Sequence, residues 1–335
     1  MIISRTPFRV SLFGGGTDIP KWYRKHGGAV IGGAIDKYCY ISLRTLPPFF
    51  EHRHRVVYSN IELVKDIADI RHPSVRAVLR EMGIQNGLEI HHDGDLPARS
   101  GLGSSSSFTV GLLNALHAYR GRMVSKEELA NEAIRIEQDV IRENVGSQDQ
   151  VWAAYGGLNR ISFCIDGTID VTPLIIERER REALQSHLVL YFTGLSRYAS
   201  DIEKEKIADL DRREAQLHTL RAMVEEAAGI LCNPRRDLAD LGRLLHEGWM
   251  LKRELSANVS NFAIDNLYEA ALGAGALGGK LLGAGGGGFL LLFVPPERQA
   301  AVRERLNGLI AVSFGFDTGG SKIVVYEPDD FERRV

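Results

Sequence analysis

The chain has 335 residues, and its 41 lysine and arginine residues are nearly balanced by 43 aspartate and glutamate residues, leaving a formal net charge of −2 at pH 7. That balance excludes a global field for nucleic acid, and no stretch approaches the ~18 apolar residues of a membrane helix, so we expect a cytoplasmic protein with a small-molecule partner. The length favours two domains that share a cleft.

The first half of the chain alternates between short strands and amphipathic helices. Apolar runs broken by glycine turns predict strands in the first 60 residues. A capping-box pattern at 125–128 begins a helix that we expect to run to about residue 143. The predicted strands lie at 8–13, 29–35, 38–43, 55–58, 88–92, 158–163 and 169–172. The predicted helices lie at 74–82, 108–119 and 125–143.

The second half is predicted to be an α+β domain with longer helices. A charged run at 177–182 indicates a boundary region, which gives an N-terminal domain at 1–175 and a C-terminal domain at 176–335. The predicted strands lie at 187–192, 280–282, 289–294 and 323–326. The predicted helices lie at 200–231, 236–257, 262–273 and 296–309.

A run of small residues from Pro97 to Ser107 leads directly into an apolar-periodic segment. Gly101 and Gly103 can adopt positive φ and let a phosphate approach the main chain, while the start of the following helix offers unpaired N–H groups. The serine hydroxyls add donors, or ligands for a hard cation. The alternative is a turn or flexible linker, which the immediate start of a helix disfavours.

A second glycine cluster, at 283–288, formally satisfies the G-x-G-x-x-G pattern of dinucleotide-binding proteins. The residues at 289–294 that follow it form a predicted buried strand, whereas the dinucleotide fingerprint opens a helix. Lys280 is likewise not a Walker lysine, because Leu281 follows it and the required glycine spacing is missing. The two glycine loops therefore belong to neither of these common nucleotide-binding folds.

The N-terminal stretch at 5–18 combines two arginines, three consecutive glycines and an aspartate. Arg9 suits the stabilisation of phosphoryl charge, and Asp18 suits hydrogen bonds from sugar hydroxyls beside the bare glycine backbone. The alternative roles are an ion pair on an edge strand for Arg9 and a turn for Asp18. The sequence alone leaves both pairs of roles open.

Two further carboxylates lie on predicted helices. Glu137 falls within the apolar stripe of its helix, and an inward-facing carboxylate needs a partner such as Mg²⁺ or an arginine, unless it reaches solvent from the edge of the stripe. Asp149 lies at an expected helix start with Ser147 as the candidate N-cap. Its alternative role is to compensate the helix dipole.

Three blocks of the sequence, taken together, resemble those of the GHMP kinases, the family named for galactokinase, homoserine, mevalonate and phosphomevalonate kinases. The first block is 7–18, the second is the P-x-x-x-G-L-G-S-S loop at 97–105, and the third is the glycine-rich segment at 280–288. The resemblance implies a two-domain α+β fold. Its N-terminal domain would be like domain 2 of ribosomal protein S5, its C-terminal domain would be ferredoxin-like, and the active site would lie between them.

The resemblance also implies an ATP-dependent enzyme that uses Mg²⁺, and a role for each matching residue. Asp149 would be the catalytic aspartate, and Arg9 would stabilise the transferred phosphoryl group. Ser105 (or Ser106) and Glu137 would lie near Mg²⁺. The ATP phosphates would be held by Pro97, Ser100, Gly101, Leu102, Gly103, Ser104, Ser105 and Ser106. The substrate would contact Gly14, Gly15, Gly16, Thr17 and Asp18, and the loop would be buttressed by Gly283, Gly285, Gly286 and Gly287.

The acceptor is indicated by a departure from the galactokinases, which read Gly-Glu-His where this chain has three glycines at 14–16. The change removes a negative charge and exposes N–H groups, which suits a longer or already phosphorylated acceptor. Within the family the chain most resembles the D-glycero-D-manno-heptose 7-phosphate kinases, with the kinase domain of fucokinase as a relative. The resemblance implies transfer to the anomeric (C1) hydroxyl of the heptose 7-phosphate, giving the 1,7-bisphosphate for GDP-heptose and bacterial surface polysaccharide.

The substrate's own phosphate requires cations, and Arg197 and Lys252 are the leading candidates among the basic residues. Two other functions stay open at this point. One is a C1 kinase for a free sugar such as L-fucose or galactose, and the other is a non-catalytic nucleotide-binding protein of the same fold. The sequence leaves a monomer and a homodimer equally open.

Overall fold

In the computed structural model, described for residues 1–98, 100–194, 210–255 and 258–328, the chain forms two antiparallel-rich sheets with helices packed against them. No helix in these ranges is long and apolar enough to cross a membrane. The strands are β1 (Ile2–Phe13), β2 (Gly28–Thr45), β3 (His54–Val57), β4 (Ile61–Val64), β5 (Leu88–Gly94), β6 (Leu158–Phe163), β7 (Ile169–Pro173), β8 (Leu188–Phe192), β9 (Gly278–Leu281), β10 (Phe289–Phe293), β11 (Ile310–Val312) and β12 (Lys322–Tyr326). The helices are α1 (Pro20–His26), α2 (Pro73–Glu81), α3 (Ser104–Tyr119), α4 (Lys126–Arg135), α5 (Gln148–Tyr155), α6 (Arg178–His187), α7 (Glu214–Cys232), α8 (Ala239–Glu254), α9 (Phe262–Gly273) and α10 (Gln299–Arg305).

The larger sheet is organised around β2, a single strand of 18 residues. The sequence predicts two strands in this region, at 29–35 and 38–43. They form one strand because β1 pairs along most of its length, while the other edge pairs first with β6 and then with β5. The sheet order β12-β1-β2-β5-β3-β4 includes a short strand, β4, that the sequence pattern does not predict.

The smaller sheet has the order β11-β8-β10-β9, so its strands lie fourth, first, third and second in chain order. All three pairings are antiparallel, and helices connect β8 to β9 and β10 to β11. This is the ferredoxin-like arrangement that the resemblance implies. The chain then returns to the larger sheet, where β12 pairs with β1. The predicted boundary near residue 176 assigns β12 to the C-terminal domain, although β12 pairs with a strand of the N-terminal half. The domain division stays a prediction.

Two predicted segments take a different form in the structure. The charged run at 177–182 is part of helix α6, since Leu184 is buried in the core and Arg180 donates hydrogen bonds to main-chain carbonyls near the end of α7. The helix predicted at 125–143 has the expected capping box, but its α-helical part ends at Arg135 and continues as a π-helix at Ile136–Val140. The wider turn of a π-helix is frequent at functional sites.

The two glycine loops press directly on each other. Gly101 and Gly103 have φ values of +84° and +76°, as their glycine identity predicts, and α3 begins immediately after them. A Cβ atom at Gly101 would lie 2.4 Å from the carbonyl oxygen of Leu282, and one at Gly283 would lie 2.5 Å from the Cα of Gly101. Gly101 and Gly283 must therefore both be glycine, because the backbone of the opposite loop occupies the space that a side chain would need.

The contact can be tested by comparing Gly283→Ala with Gly121→Ala. Both glycines have similar positive φ, +74° and +68°, but a Cβ at Gly121 meets nothing within 4 Å. We expect Gly121→Ala to lower the free energy of unfolding by about 1 kcal/mol, and Gly283→Ala by about 2–4 kcal/mol, because only the second adds a steric clash. Urea unfolding measures both, and equal losses would contradict backbone contact between the loops.

Candidate active site

The two glycine loops, the N-terminal glycine segment and the start of α5 converge on one cleft. These segments are far apart in the chain, and β1 and β9 carry two of them to the cleft. The cleft is lined by Arg9, Ser11, Gly15, Gly16, Asp18, Ile19, Gly101, Gly103, Ser104, Ser105, Ser106, Val145, Gly146, Gln148, Asp149, Lys252, Leu255, Lys280, Gly283 and Ala284.

Arg9 holds Asp149 in a forked ion pair at the centre of the cleft. Its Nε and Nη2 atoms donate to the two carboxylate oxygens of Asp149, each at 2.7 Å, and Nη1 donates to the carbonyl of Gly101 at 2.6 Å. The main-chain N–H of Arg9 also donates to Leu102. Arg9 is only 4 % exposed, so its charge is neutralised by this bidentate pair rather than by solvent. Arg9 thus forms the ion pair that was its alternative role, and this pair is buried in the cleft.

The N-terminus of α3 forms one wall of the cleft. Its N-cap is Gly103, which has no side chain to cap the first turn, and Ser104, Ser105 and Ser106 all face the cleft. Main-chain N–H groups and the positive end of the helix dipole therefore meet at a site suited to phosphate.

Three residues predicted to contact ATP lie behind this loop instead of lining the cleft. Pro97 is exposed, Leu102 is fully buried, and the carbonyl of Ser100 accepts a hydrogen bond from the N–H of Phe289. The carbonyls of Ser100 and Leu102 therefore anchor the loop, through the N–H groups of Phe289 and Arg9.

Glu137 is completely buried behind the loop at 97–107, which we call the serine loop. Ser106 donates a 2.8 Å hydrogen bond to its Oε2 atom, Gln150 donates a second, and Oε1 has no hydrogen-bond partner. Burial raises the pKa of Glu137 to about 7, with a smaller contribution from the charge of Glu143, although the hydroxyls of Thr109 and Ser106 and the amide of Gln150 act in the opposite direction. The inward orientation expected from the sequence is confirmed, and the alternative of a side chain reaching solvent is wrong.

The oxygen atoms around Glu137 fit a hard divalent cation. The buried Oε1 lacks a partner, and a carboxylate together with a hydroxyl is a donor set that Mg²⁺ prefers. Ser106 is the hydroxyl bonded to Glu137, whereas Ser105 is exposed on the cleft wall. Of the two serines considered for the metal, the structure therefore favours Ser106.

The N-terminal glycine segment divides into residues that line the cleft and residues that hold the turn. Gly15, Gly16 and Asp18 line the cleft. Thr17 is fully buried, with its hydroxyl 2.8 Å from the carbonyl oxygens of Gly14 and Ala29. A Cβ at Gly14 would lie 2.0 Å from the carbonyl of Ala29. Gly14 and Thr17 therefore do not fit the predicted substrate contacts and instead shape the turn.

Gln148 and Ser11 are cleft residues that the sequence analysis missed. Gln148 donates to Asp18 at 2.8 Å, while its own Oε1 and the Oγ of Ser11 are buried without a hydrogen-bond partner. A Cβ at Gly15 would lie 3.7 Å from the Ser11 hydroxyl and 3.8 Å from Gln148 Nε2. The one sequence signal for Gln148 is its position next to Asp149.

Ser147 lies at the N-cap position of α5, as predicted, but its side chain does not cap the helix. Its hydroxyl accepts a 3.0 Å hydrogen bond from Gln138, and its N–H donates to the carbonyl of Asp18. Ser147 therefore links the helix start to Asp18 in the N-terminal glycine segment and to Gln138, the residue after Glu137.

Two lysines flank the glycine loop at 283–288, at the edge of the cleft. Lys252 donates to the carbonyl of Gly283 at 2.6 Å, and Lys280, which the sequence analysis excludes as a Walker lysine, donates to the carbonyl of Leu12 at 3.0 Å. Both lysines are at least nine-tenths buried. Arg197, the other predicted phosphate ligand, lies outside the described residues.

Gly285 and Gly286, in the glycine loop at 283–288, pack against Val259. Gly286 donates a 3.0 Å hydrogen bond to the Val259 carbonyl, and a Cβ at Gly285 would lie 2.6 Å from the same oxygen. Gly287 is buried in the same turn. The loop is thus fixed from behind where it supports Gly101, as the buttressing role requires.

The raised pKa of Glu137 predicts a specific pH dependence of stability. Between about pH 4.5 and 7 the folded protein keeps a proton that the unfolded chain has released, so the contribution of Glu137 to stability falls as pH rises through this window. The free energy of unfolding of wild type minus that of Glu137→Gln should therefore decrease across it, by on the order of 3 kcal/mol. Urea unfolding of metal-free protein measures this, and a difference independent of pH would contradict it.

Comparison with known proteins places this chain in a family. The model of the GHMP kinases N terminal domain matches residues 64–157, and that of the GHMP kinases C terminal matches residues 223–310. The chain is 30 % identical to a D-glycero-alpha-D-manno-heptose 7-phosphate kinase of Campylobacter jejuni, over 89 % of this chain and 91 % of that protein. It is 27 % identical to a bifunctional fucokinase/GDP-fucose pyrophosphorylase of Arabidopsis thaliana, over 90 % of this chain but only 30 % of that protein.

Among solved structures, a D-glycero-D-manno-heptose 1-phosphate kinase from Bacteroides thetaiotaomicron matches with a TM-score of 0.79 and 24 % identity, over 98 % of this chain and all of that one. This match confirms the two-domain fold, and the sequence matches cover both halves of the chain. The chain belongs to the GHMP kinase family and is an ATP-dependent sugar or sugar-phosphate kinase.

Proposed function

We propose that this kinase transfers the γ-phosphoryl group of ATP to the anomeric hydroxyl of D-glycero-D-manno-heptose 7-phosphate, giving the 1,7-bisphosphate. The observation that carries the acceptor is the 30 % identity to a heptose 7-phosphate kinase across nine-tenths of both chains. The product would be a precursor of GDP-heptose for bacterial surface polysaccharide.

The proposal assigns the ATP phosphates to the uncapped start of α3. Main-chain N–H groups after Gly103 and the hydroxyls of Ser104 and Ser105 are the donors. Mg²⁺ would be held by Ser106 and Glu137, and when bound it supplies positive charge that neutralises the phosphate oxygens. The packing of Gly283 against Gly101 keeps this loop in the conformation that exposes its N–H groups.

Asp149 and Arg9 carry the chemical step in this proposal. Asp149 orients the acceptor hydroxyl and accepts its proton as the oxygen attacks phosphorus. The guanidinium of Arg9 fixes the direction of that carboxylate. Its three hydrogen bonds use three of the five N–H donors of an arginine, so two remain for an oxygen of the transferred group.

The acceptor would lie against Gly15 and Gly16, where the cleft wall has no side chains. Gln148 Oε1 and the Ser11 hydroxyl are unpaired there and match the hydroxyl groups of a sugar, with Asp18 held beside them by Gln148. The 7-phosphate requires cations, and we assign it to Lys252 together with Arg197, with Lys280 as a further candidate.

A C1 kinase for a free sugar is the second candidate. It is favoured by the fucokinase relative and by the two cleft lysines, which already donate to main-chain carbonyls. These lysines would have to keep or exchange those hydrogen bonds when they bind a phosphate.

The acceptor is tested with purified enzyme, Mg-ATP and a panel of four sugars: the heptose 7-phosphate, the same heptose without phosphate, L-fucose and galactose. We expect kcat/KM for the heptose 7-phosphate to exceed that for the unphosphorylated heptose at least ~100-fold, because only the phosphate can form charge-assisted hydrogen bonds with the cations assigned to it. ADP release measures the rate, and loss of the reducing end in the product identifies C1. Equal rates with both heptoses would favour the free-sugar kinase instead.

The role of Asp149 is tested by Asp149→Asn, which keeps the shape of the side chain but removes its charge. We expect kcat to fall ~10²–10⁴-fold with ATP affinity retained, since the carboxylate contacts the acceptor rather than the nucleotide. Asp139→Asn is the matched control, because Asp139 is exposed and does not line the cleft. Retained activity in Asp149→Asn would overturn the assignment, and a wild-type enzyme without transfer to any sugar would favour a non-catalytic nucleotide-binding protein.

A further inference from the structure

A cluster of three potential metal ligands lies outside the cleft, where α1 meets α7. His26 is the last residue of α1, and Glu214 and His218 are one turn apart on α7. The Nδ1 atom of His26 lies 3.8 Å from Glu214 Oε1, and the Nε2 atom of His218 lies 3.5 Å from the same oxygen. The three ligand atoms all lie within 4.8 Å of one another.

These separations are close to those of a tetrahedral zinc site. With Zn–N and Zn–O bonds near 2.1 Å, neighbouring ligand atoms of a tetrahedron lie about 3.4 Å apart. Two imidazoles and one carboxylate form a donor set that suits Zn²⁺ and not Mg²⁺, which prefers oxygen ligands. Residues spaced i and i+4 on a helix also share a face, so Glu214 and His218 converge without any change of backbone.

The surroundings hold the rings while leaving the cluster open to solvent. Trp22 is buried and stacks on His26 with ring centroids 4.2 Å apart, and it contacts His218 edge-on at 5.0 Å. The side chains of Glu214 and His218 are about half exposed, so an ion can enter. One nearby cation is Arg221, whose guanidinium donates to the carbonyl of His26. Its positive charge opposes a bound metal ion, and the Glu214 carboxylate offsets that charge.

We propose that His26, Glu214 and His218 bind a divalent transition-metal ion of the zinc type, with the fourth ligand position open to water. The ion would cross-link α1 and α7, which are almost 190 residues apart in the chain. Since α1 begins two residues after Asp18, the ion would also fix the helix that follows the substrate segment. The site differs from the Mg²⁺ position in ligands, location and metal class.

The direct test is a Zn²⁺ titration of the full-length protein in excess Mg²⁺, which occupies the oxygen sites. We expect one Zn²⁺ per chain and a rise in Tm of at least about 2 °C at saturation, because the metal binds only the folded arrangement of ligands. His26→Ala and His218→Ala should each weaken this binding at least ~10-fold. Thr219→Ala is the matched control, because Thr219 is exposed beside His218 and supplies no ligand.

Trp22 gives a second measurement that does not depend on stability. Co²⁺ bound to the three ligands would lie close to the indole and quench its fluorescence, and Trp22→Phe should abolish the quenching. Stoichiometric quenching that is lost in His218→Ala supports the site. Zinc affinity or quenching that is unchanged in both histidine variants, or no Zn²⁺ binding by wild type, overturns it and leaves the cluster as a set of surface ion pairs.

Discussion

The ion pair between Arg9 and Asp149 joins the three parts of the molecule on which the active site depends. Arg9 lies on β1, Asp149 lies in the first turn of α5, and the third hydrogen bond of the guanidinium goes to Gly101 in the serine loop. A buried arginine with one partner removed would be an uncompensated charge in the interior, which is strongly destabilising. The same contacts that direct the carboxylate therefore also hold the loop around Gly101 in register with the strand.

Packing behind the cleft makes this geometry rigid. The backbone of Leu282 leaves no space for a Cβ at Gly101, and Lys252 donates to the carbonyl of Gly283. Glu137 lies under Ser106, with its neutral form favoured by burial when no cation is bound. A cation bound as proposed would reverse that preference, so metal binding would be coupled to deprotonation of Glu137. The serine loop is thus held by backbone contacts with the second glycine loop on one side, and it contacts the titratable carboxyl of Glu137 on the other.

Local sequence patterns predict the parts of this site that depend on backbone conformation. Glycines that need positive φ, the capping box at Ser125 and the apolar stripe around Glu137 are all local signals, and the structure confirms each. Local patterns do not predict which residue, distant in the sequence, a side chain will contact in the folded protein. The pairing of Arg9 with Asp149, 140 residues apart, and the choice of Ser106 over Ser105 depend on how strands and helices pack, which no local spacing encodes.

The same limit explains the residues that were misassigned or missed. Thr17 sits in a glycine-rich segment that faces the cleft, yet its hydroxyl turns inward because the backbone of Ala29 lies against it. A glutamine is an ordinary residue at the start of a helix, so the sequence around Gln148 gives no signal of a special role. Its amide acquires one only because Asp18 comes close enough to accept its hydrogen bond. His26 and the pair on α7 are separated by almost 190 residues, so that no sequence spacing brings them together.

In the proposed function, the acceptor would be selected at the face of the cleft that carries the fewest side chains. Gly15 and Gly16 present bare backbone, and the groups that remain unpaired there, Ser11 Oγ and Gln148 Oε1, are neutral. Neutral groups of this kind distinguish the pattern of sugar hydroxyls, whereas a second phosphate requires cations at a distance set by the length of the sugar. Lys252 combines such a charge with a contact to the loop at Gly283. In the proposed function, an acceptor phosphate that binds Lys252 would therefore also act on the loop at Gly283, and this contact would link recognition of the acceptor to the position of ATP.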